Sequence, residues 1–395
     1  DDAKKLFKQA LTIDPTFAQA KNNLGMILVT EGHAERAIPY FQEAIISDSS
    51  SAEAWHNLAN AYRQVKKLKL AIDHEKQALE IKPDYKNAKS LLLLMLQEAV
   101  DWEGITQLGP DIGQLGLCGD AISPFTMLPF EDNPAHQLKR SITLFEENKK
   151  IAQLKGSKLQ EIKNSLLTRP NDQKIRLGYI SGEFHDHPIL FLLMGMLREH
   201  DRSKFELYGY SSGRGGEGPM RDEAKGYFDV FTDIKDMSDA KVVELAREHQ
   251  LDIAINLGGY TAQPRNGLFD LGMAPIQVNY LGYPSTMGAD FMDYIIADET
   301  VIPTTHEQFY SEKVLRLPGS YLPSDDQRPV AKTNTTRADF GLPKNGFVFC
   351  SFNASYKISP AEFDIWMRLL LQVEGSVLWL SYMNEWAVEN LKQEA

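Results

Sequence analysis

The chain has 395 residues, a formal net charge of -12 and a hydrophobic fraction of 43%, enough for two to three domains that each bury a core. The acidic balance argues against a general nucleic-acid or acidic-membrane surface. Its two cysteines, Cys118 and Cys350, lie far apart in sequence and form neither a disulfide framework nor a metal cluster, which fits a reducing compartment such as the cytoplasm.

The first hundred residues carry three ladders at one 34-residue period: Ala3, Ala37 and Ala71; Ala10, Ala44 and Ala78; and Leu24-Gly25 answered by Leu58-Ala59. This is the tetratricopeptide pattern, in which small residues sit where paired helices pack closely. Phe7, Phe41, Trp55 and Tyr62 fill the larger gaps, Glu75 breaks the aromatic position of the third copy, and Pro15 and Pro83 end helices. Ala3 and Ala10 hold second-helix positions, so the chain is expected to begin inside a repeat. A further copy starts near Tyr85, and the array is expected to end by about residue 98, since Ile105 stands where the next alanine would fall.

Residues 99–172 read as a helical connector, punctuated by Pro110, Pro124, Pro129 and Pro134, with a long amphipathic stretch over 135–167. From Lys174 the pattern changes to short apolar runs alternating with helical segments. Strands are expected at 175–181, 205–210, 252–256, 276–280, 294–297, 347–351 and 377–380. That alternation predicts a doubly wound parallel sheet, whose ligands bind at the carboxyl ends of the strands. The domain expectation is therefore 1–98 repeats, 99–172 connector, 173–335 a first Rossmann-like lobe, and 336–395 the start of a second. The longest apolar runs, 91–96 and 189–197, fall far short of the roughly 20 residues of a membrane span.

Four loops after these strands are candidate sites. Gly182-Glu183-Phe184-His185-Asp186-His187-Pro188 gathers two histidines and two acids, where His187 or Glu183 could take or orient a hydroxyl proton. Asn256-Leu-Gly258-Gly259-Tyr260-Thr261, followed by Arg265, and Tyr280-Leu281-Gly282-Tyr283-Pro284 place glycines where backbone can approach a ligand. In Phe352-Asn353-Ala354-Ser355-Tyr356-Lys357-Ile358-Ser359-Pro360, Ser359 suits an N-cap, Pro360 the first helical position and Glu362 a capping box. Lys357 then lies just ahead of a helix N-terminus, where its charge and free N–H groups can hold a phosphate. A literal dinucleotide fingerprint at Gly213, Gly215 and Gly218 follows the second strand rather than the first, with Asp233 too near, and reads as a flexible glycine linker.

From about Arg176 onward the chain resembles the catalytic region of the tetratricopeptide-linked O-GlcNAc transferases, glycosyltransferase family 41, especially its bacterial members. The matching residues are His187-Pro188 after Tyr179-Ile-Ser-Gly-Glu-Phe184, Gly259-Tyr-Thr261 with Arg265, Ala274-Pro-Ile-Gln-Val-Asn-Tyr-Leu-Gly-Tyr-Pro284, Phe291-Met-Asp-Tyr-Ile-Ile-Ala-Asp298, Tyr310-Ser-Glu-Lys313, and Phe352-Asn353 with Tyr356-Lys357. Trp102 and the 124–129 segment also resemble the family's connector. The resemblance implies a GT-B fold behind the α-solenoid, with a nucleotide sugar between two lobes. It also implies inversion at the anomeric carbon and a protein Ser or Thr hydroxyl as acceptor, presented by the repeat groove. No metal or other cofactor is implied. By position, Lys357 matches the lysine that neutralises the leaving diphosphate, and Asn353 falls in the same donor segment. His187 matches a histidine at the sugar and acceptor site, and Leu281, Gly282 and Pro284 match a loop lining the sugar pocket.

Several residues depart from the family pattern. Glu183 and Asp186 replace an Asp and an Asn of the animal members, which leaves a proton relay through them open. Phe125 stands where those members have a histidine before the segment matched by Thr126-Met-Leu128, and Ala354 replaces a glutamine. The general base is therefore unassigned. The family's later His-Thr-Thr segment does not occur here, so the chain is expected to be a fragment cut at both ends and to transfer little or no sugar alone. UDP-GlcNAc is the expected donor. The alternatives are a GDP-fucose protein O-fucosyltransferase, against which Gly-Tyr-Thr261 argues modestly, and a non-enzymatic repeat scaffold.

Overall fold

The structure is a computed structural model that describes residues 2–119, 121–152, 173–213, 215–261 and 265–395. The chain divides into two compact units, one formed by residues 1–122, 126–132 and 332–395, the other by 123–125 and 133–331.

In the first unit, helices α1 (Asp2–Ile13), α2 (Ala18–Thr30), α3 (Ala34–Ser47), α4 (Ala52–Gln64), α5 (Leu68–Ile81) and α6 (Lys86–Ala99) pack each against the next. The alanine ladders explain how closely: Ala37, Ala44, Ala71 and Ala78 are all buried, and a methyl at Gly25 would come 2.5 Å from the Phe41 ring. Where the third copy loses its aromatic residue, the Glu75 carboxyl is wholly buried and faces His56 Nδ1 at 2.6 Å. Pro15 and Pro83 fall in the turns after α1 and α5, as a ring without an N–H requires.

The helix α7 (Trp102–Gln107) and short 3₁₀ turns at Pro110–Gln114 and Pro124–Met127 follow. Ile112, Leu115, Ile122 and Met127 there bury themselves against Leu93 of α6. At the other end of the sequence, strands β8 (Val348–Ser351) and β9 (Val377–Leu380) pair in parallel. They are joined through α13 (Pro360–Gln372) and followed by α14 (Glu385–Glu394).

In the second unit, α8 (Pro134–Ala152) precedes a seven-stranded sheet; the rest of the predicted amphipathic stretch lies outside the described residues. Its strands are β1 (Ile175–Ser181), β2 (Phe205–Ser211), β3 (Val230–Asp233), β4 (Ile253–Asn256), β5 (Ile276–Tyr280), β6 (Tyr294–Ala297) and β7 (Lys313–Arg316). The order is β3-β2-β1-β4-β5-β6-β7, and every neighbouring pair is parallel. Helices α9 (Pro188–Glu199), α10 (Pro219–Gly226), α11 (Asp239–Glu248) and the single turn α12 (Gly267–Asp270) lie between the strands in sequence. Leu190, Leu193 and Leu197 of α9 pack on Leu177, Leu207, Val278 and Tyr280 of the sheet, the continuous apolar coverage that a parallel sheet requires.

The two strands absent from the sequence expectation, β3 and β7, are the two edges of this sheet. Both are short and half polar, so they show no buried period. The strand order reverses between β1 and β4, which makes their carboxyl ends the topological switch point where such sheets bind ligands.

Candidate active site

The second unit brings three of the four predicted loops together at that switch point. A crevice is lined by Ser181, Gly182 and Glu183 after β1, Ser212 after β2, and Asn256, Gly258 and Thr261 after β4. The third loop closes on the same region, because a methyl at Gly282 would lie 2.1 Å from the Leu257 carbonyl and 2.7 Å from Ile189. The absence of a side chain at Gly282 is what lets the loop after β5 approach the other two. Asn353 and Lys357 belong to the first unit.

The loop after β1 is organised by its own histidines. His187 is the N-cap of α9, its Nδ1 accepting from the Ile189 N–H at 3.3 Å, with Pro188 at the first helical position. With Nδ1 accepting, the neutral ring carries its proton on Nε2, which faces Glu183 Oε2 at 3.8 Å. Burial pushes the His187 pKa below its usual value, against the opposing pull of the Glu183 charge. His185 Nε2 approaches the same carboxylate at 3.4 Å. Its Nδ1 is buried without a hydrogen-bond partner, and a methyl at Gly215 would lie 2.3 Å from it. Glu183 thus sits between two imidazoles, while Asp186 is exposed.

Gly213 would place a methyl 1.8 Å from the Gly182 carbonyl, and Gly218 is the N-cap of α10. The reading of these glycines as a flexible linker is thereby corrected: the segment packs on the loop after β1. Arg221 of α10 is buried and donates to the Phe184 carbonyl at 2.8 Å and to Ser211 Oγ at 3.0 Å. It also pairs with Asp233, the acid that a dinucleotide fingerprint would have needed.

In the loop after β4, Asn256 Oδ1 accepts from the N–H groups of Gly258 and Gly259 at 3.1 and 3.0 Å. Arg265 holds this region in place rather than offering a free guanidinium. It donates to the carbonyls of Ile234 and Met237 at 2.7 and 2.9 Å and pairs with Asp239.

The loop after β5 stores strain. Leu281 has φ of +73°, and Gly282 N donates to the Tyr280 carbonyl at 3.0 Å. This tight γ-turn puts a buried, branched residue in the left-handed region, an arrangement that persists only where its surroundings enforce it. The enforcement comes from Asn279, which donates to the Tyr283 and Ser285 carbonyls at 3.1 and 3.2 Å, and from Glu312. The buried Glu312 carboxylate accepts from Thr286 Oγ1 at 2.7 Å and from Met287 N at 2.6 Å. Burial raises its pKa, and these bonds oppose that shift. Pro284, the other residue expected in the sugar pocket, is exposed within this braced loop.

In the first unit, Asn353 and Lys357 are exposed in the loop between β8 and α13. Lys357 ends a 3₁₀ turn, Ser355–Lys357, and Ser359 caps α13 by accepting from Glu362 N at 3.5 Å. The capping box is corrected in one respect, because the Glu362 carboxylate meets the Ser359 hydroxyl instead of its backbone N–H. Sequence reasoning gave no role to His185, Arg221, Asn279 or Glu312. Of these, His185, Asn279 and Glu312 stood inside quoted segments, but nothing local shows which of them is buried or what it bonds.

The family model Glycosyl transferase family 41 matches residues 148–334 and 324–395, and a Tetratricopeptide repeat model matches 1–51 and 22–86. A probable UDP-N-acetylglucosamine–peptide N-acetylglucosaminyltransferase SEC of Arabidopsis thaliana is 34% identical over 213 residues, covering 53% of this chain and 22% of that protein. The UDP-N-acetylglucosamine–peptide N-acetylglucosaminyltransferase of Caenorhabditis elegans is 26% identical over 322 residues, covering 53% and 28%. The chain thus spans roughly a quarter of the length of these curated relatives. An O-GlcNAc transferase mutant of Thermobaculum terrenum has a similar fold, with a TM-score of 0.62 at 23% identity over 99% of this chain and 67% of that one. Among the described residues no helix is long and apolar enough to cross a membrane. With a family model matched over more than half its residues, the chain belongs to glycosyl transferase family 41.

Proposed function

We propose that this chain is the repeat-bearing part of an inverting protein O-GlcNAc transferase that moves N-acetylglucosamine from UDP-GlcNAc to Ser or Thr hydroxyls of polypeptides. The observation that carries the reading is Lys357, an exposed cation in the turn that opens α13. As the glycosidic bond to the nucleotide breaks, negative charge gathers on the leaving diphosphate. A lysine and a helix N-terminus beside it stabilise that charge where it develops. Asn353 belongs to the same donor segment.

At the sugar, Leu281, Gly282 and Pro284 form the braced wall. His187, held neutral by burial, presents an N–H that orients a sugar or acceptor oxygen. With its Nδ1 engaged in capping, His187 cannot take the acceptor proton there, so the hydroxyl proton passes to Glu183 or on through Asp186. In this reading residues 1–98 present the acceptor polypeptide, 99–172 connect, 173–335 form the first lobe and 336–395 open the nucleotide lobe. The exposed free thiols of Cys118 and Cys350 accord with a cytoplasmic setting.

The test is calorimetric titration of the full-length gene product with UDP-GlcNAc and with GDP-fucose, beside Lys357→Ala. Selective UDP-GlcNAc binding that the substitution abolishes supports the proposal. Preference for GDP-fucose makes the chain a fucosyl-type relative, and binding of neither donor leaves a repeat scaffold.

A further inference from the structure

We infer that Ser355 and Asn384 are positioning residues for Lys357, seating the donor turn on the open end of the last repeat helix. The inference rests on the reading of Lys357 as the diphosphate ligand. A helix leaves its last carbonyls without intrahelical partners. At the end of α6, Val100 turns into the left-handed region, and the N–H groups of Val100 and Asp101 satisfy Gln97 and Leu96 at 3.1 and 2.9 Å. The next two carbonyls are taken by side chains from the far end of the sequence. Ser355 Oγ and Asn384 Nδ2 donate to the Glu98 carbonyl at 2.7 and 2.8 Å, and Asn390 Nδ2 donates to the Ala99 carbonyl at 2.9 Å.

These bonds fix more than a helix end. Ser355 is buried and begins the single 3₁₀ turn whose last residue is Lys357. The turn closes through Lys357 N to the Ala354 carbonyl and Ile358 N to the Ser355 carbonyl, both 3.0 Å. The Lys357 backbone is therefore set two residues from an anchor on α6. Asn384 is doubly engaged, because its Oδ1 also caps α14 by accepting from Ala387 N at 2.8 Å. The anchor is in turn tied to the preceding repeat, where Arg63 of α4 pairs with the Glu98 carboxylate at 2.6 Å. A lysine on a flexible stem neutralises a diphosphate well only if its backbone origin is held, and small misplacements of a charge cost large factors. The last repeat helix thus determines where the donor's cation stands.

The experiment measures UDP-GlcNAc affinity of the full-length gene product by calorimetry for Ser355→Ala, Ser355→Thr, Lys357→Ala and the Ser355→Ala/Lys357→Ala pair. Tryptophan fluorescence checks that each is folded. Ser355→Ala is expected to weaken binding about tenfold, Ser355→Thr to restore it, and the double variant to bind no worse than Lys357→Ala alone. Asn384→Asp, which keeps the α14 cap but loses the donor to Glu98, is expected to show the same dependence on Lys357. It also keeps the test decisive if Ser355→Ala does not fold. Unchanged affinity in folded Ser355→Ala, or losses that add fully to that of Lys357→Ala, overturns the positioning role. Unchanged affinity in Lys357→Ala overturns the diphosphate reading itself and this inference with it.

Discussion

Replacing Glu75 by Gln gives a sharply defined consequence for the repeats. The Glu75 carboxyl is completely buried, with one oxygen 2.6 Å from His56 Nδ1 and the other without a hydrogen-bond partner. Burial pushes its pKa from 4.5 up to about 6, against the partial compensation of His56. The folded protein therefore holds this proton more tightly than the unfolded chain does. The neutral acid contributes fully to stability below pH 4.5, and that contribution is lost as pH rises through about 6. A difference of about 1.5 pKa units at 1.36 kcal/mol each corresponds to about 2 kcal/mol. Glu75→Gln keeps the volume and the polarity but not the titration. The stability of the unmutated chain relative to Glu75→Gln should fall by about 1.3 kcal/mol between the two ends of that window and by about 2 kcal/mol from well below it to well above it. Urea unfolding followed by tryptophan fluorescence measures it, because all five tryptophans, Trp55, Trp102, Trp366, Trp379 and Trp386, lie in the unit that contains Glu75. The ends of the window fall on either side of the isoelectric point of 5.3, so they avoid the pH of least solubility. A stability difference that does not change with pH would refute the reasoning, and one that rises with pH would reverse its sign.

Two further outcomes concern the site. Gly282→Ala forces a methyl to within 2.1 Å of the Leu257 carbonyl, a backbone collision that should destabilise the second unit by about 1–3 kcal/mol. Scanning calorimetry resolves this, and an unchanged transition would show that the loop can retreat. In ¹⁵N NMR spectra, neutral His187 should carry its proton on Nε2 and titrate below 6.5, because burial disfavours the imidazolium. A midpoint above 6.5 would mean that the Glu183 charge outweighs burial.

Period and punctuation alone specified a large part of the molecule. The 34-residue alanine ladders specified the helix pairs, because close helix packing admits only small residues at those positions. The predicted strands at 175–181, 276–280, 294–297 and 377–380 coincide with observed ones, since each is an apolar run bounded by turn residues. The edge strands β3 and β7 were illegible for the opposite reason: one side of each faces solvent or a loop, so Val-Phe-Thr-Asp and Lys-Val-Leu-Arg carry no buried period. Loop positions at strand ends were also readable, which is why Glu183, His187, Gly282 and Lys357 could be named, while Leu281 and Pro284 entered through the family resemblance. Their environments could not be read, because burial and long-range partners are properties of the folded chain. Only the tertiary structure buries Glu312 beneath the loop it braces, bends Leu281 into a strained turn and turns His187 into a helix cap. It alone brings Ser355 and Asn384 to one carbonyl, that of Glu98, in a helix that ended more than two hundred residues earlier. Hydrogen-bond partners so distant in sequence leave no periodic trace along it, so local reading predicts the elements and folding assigns the work of each side chain.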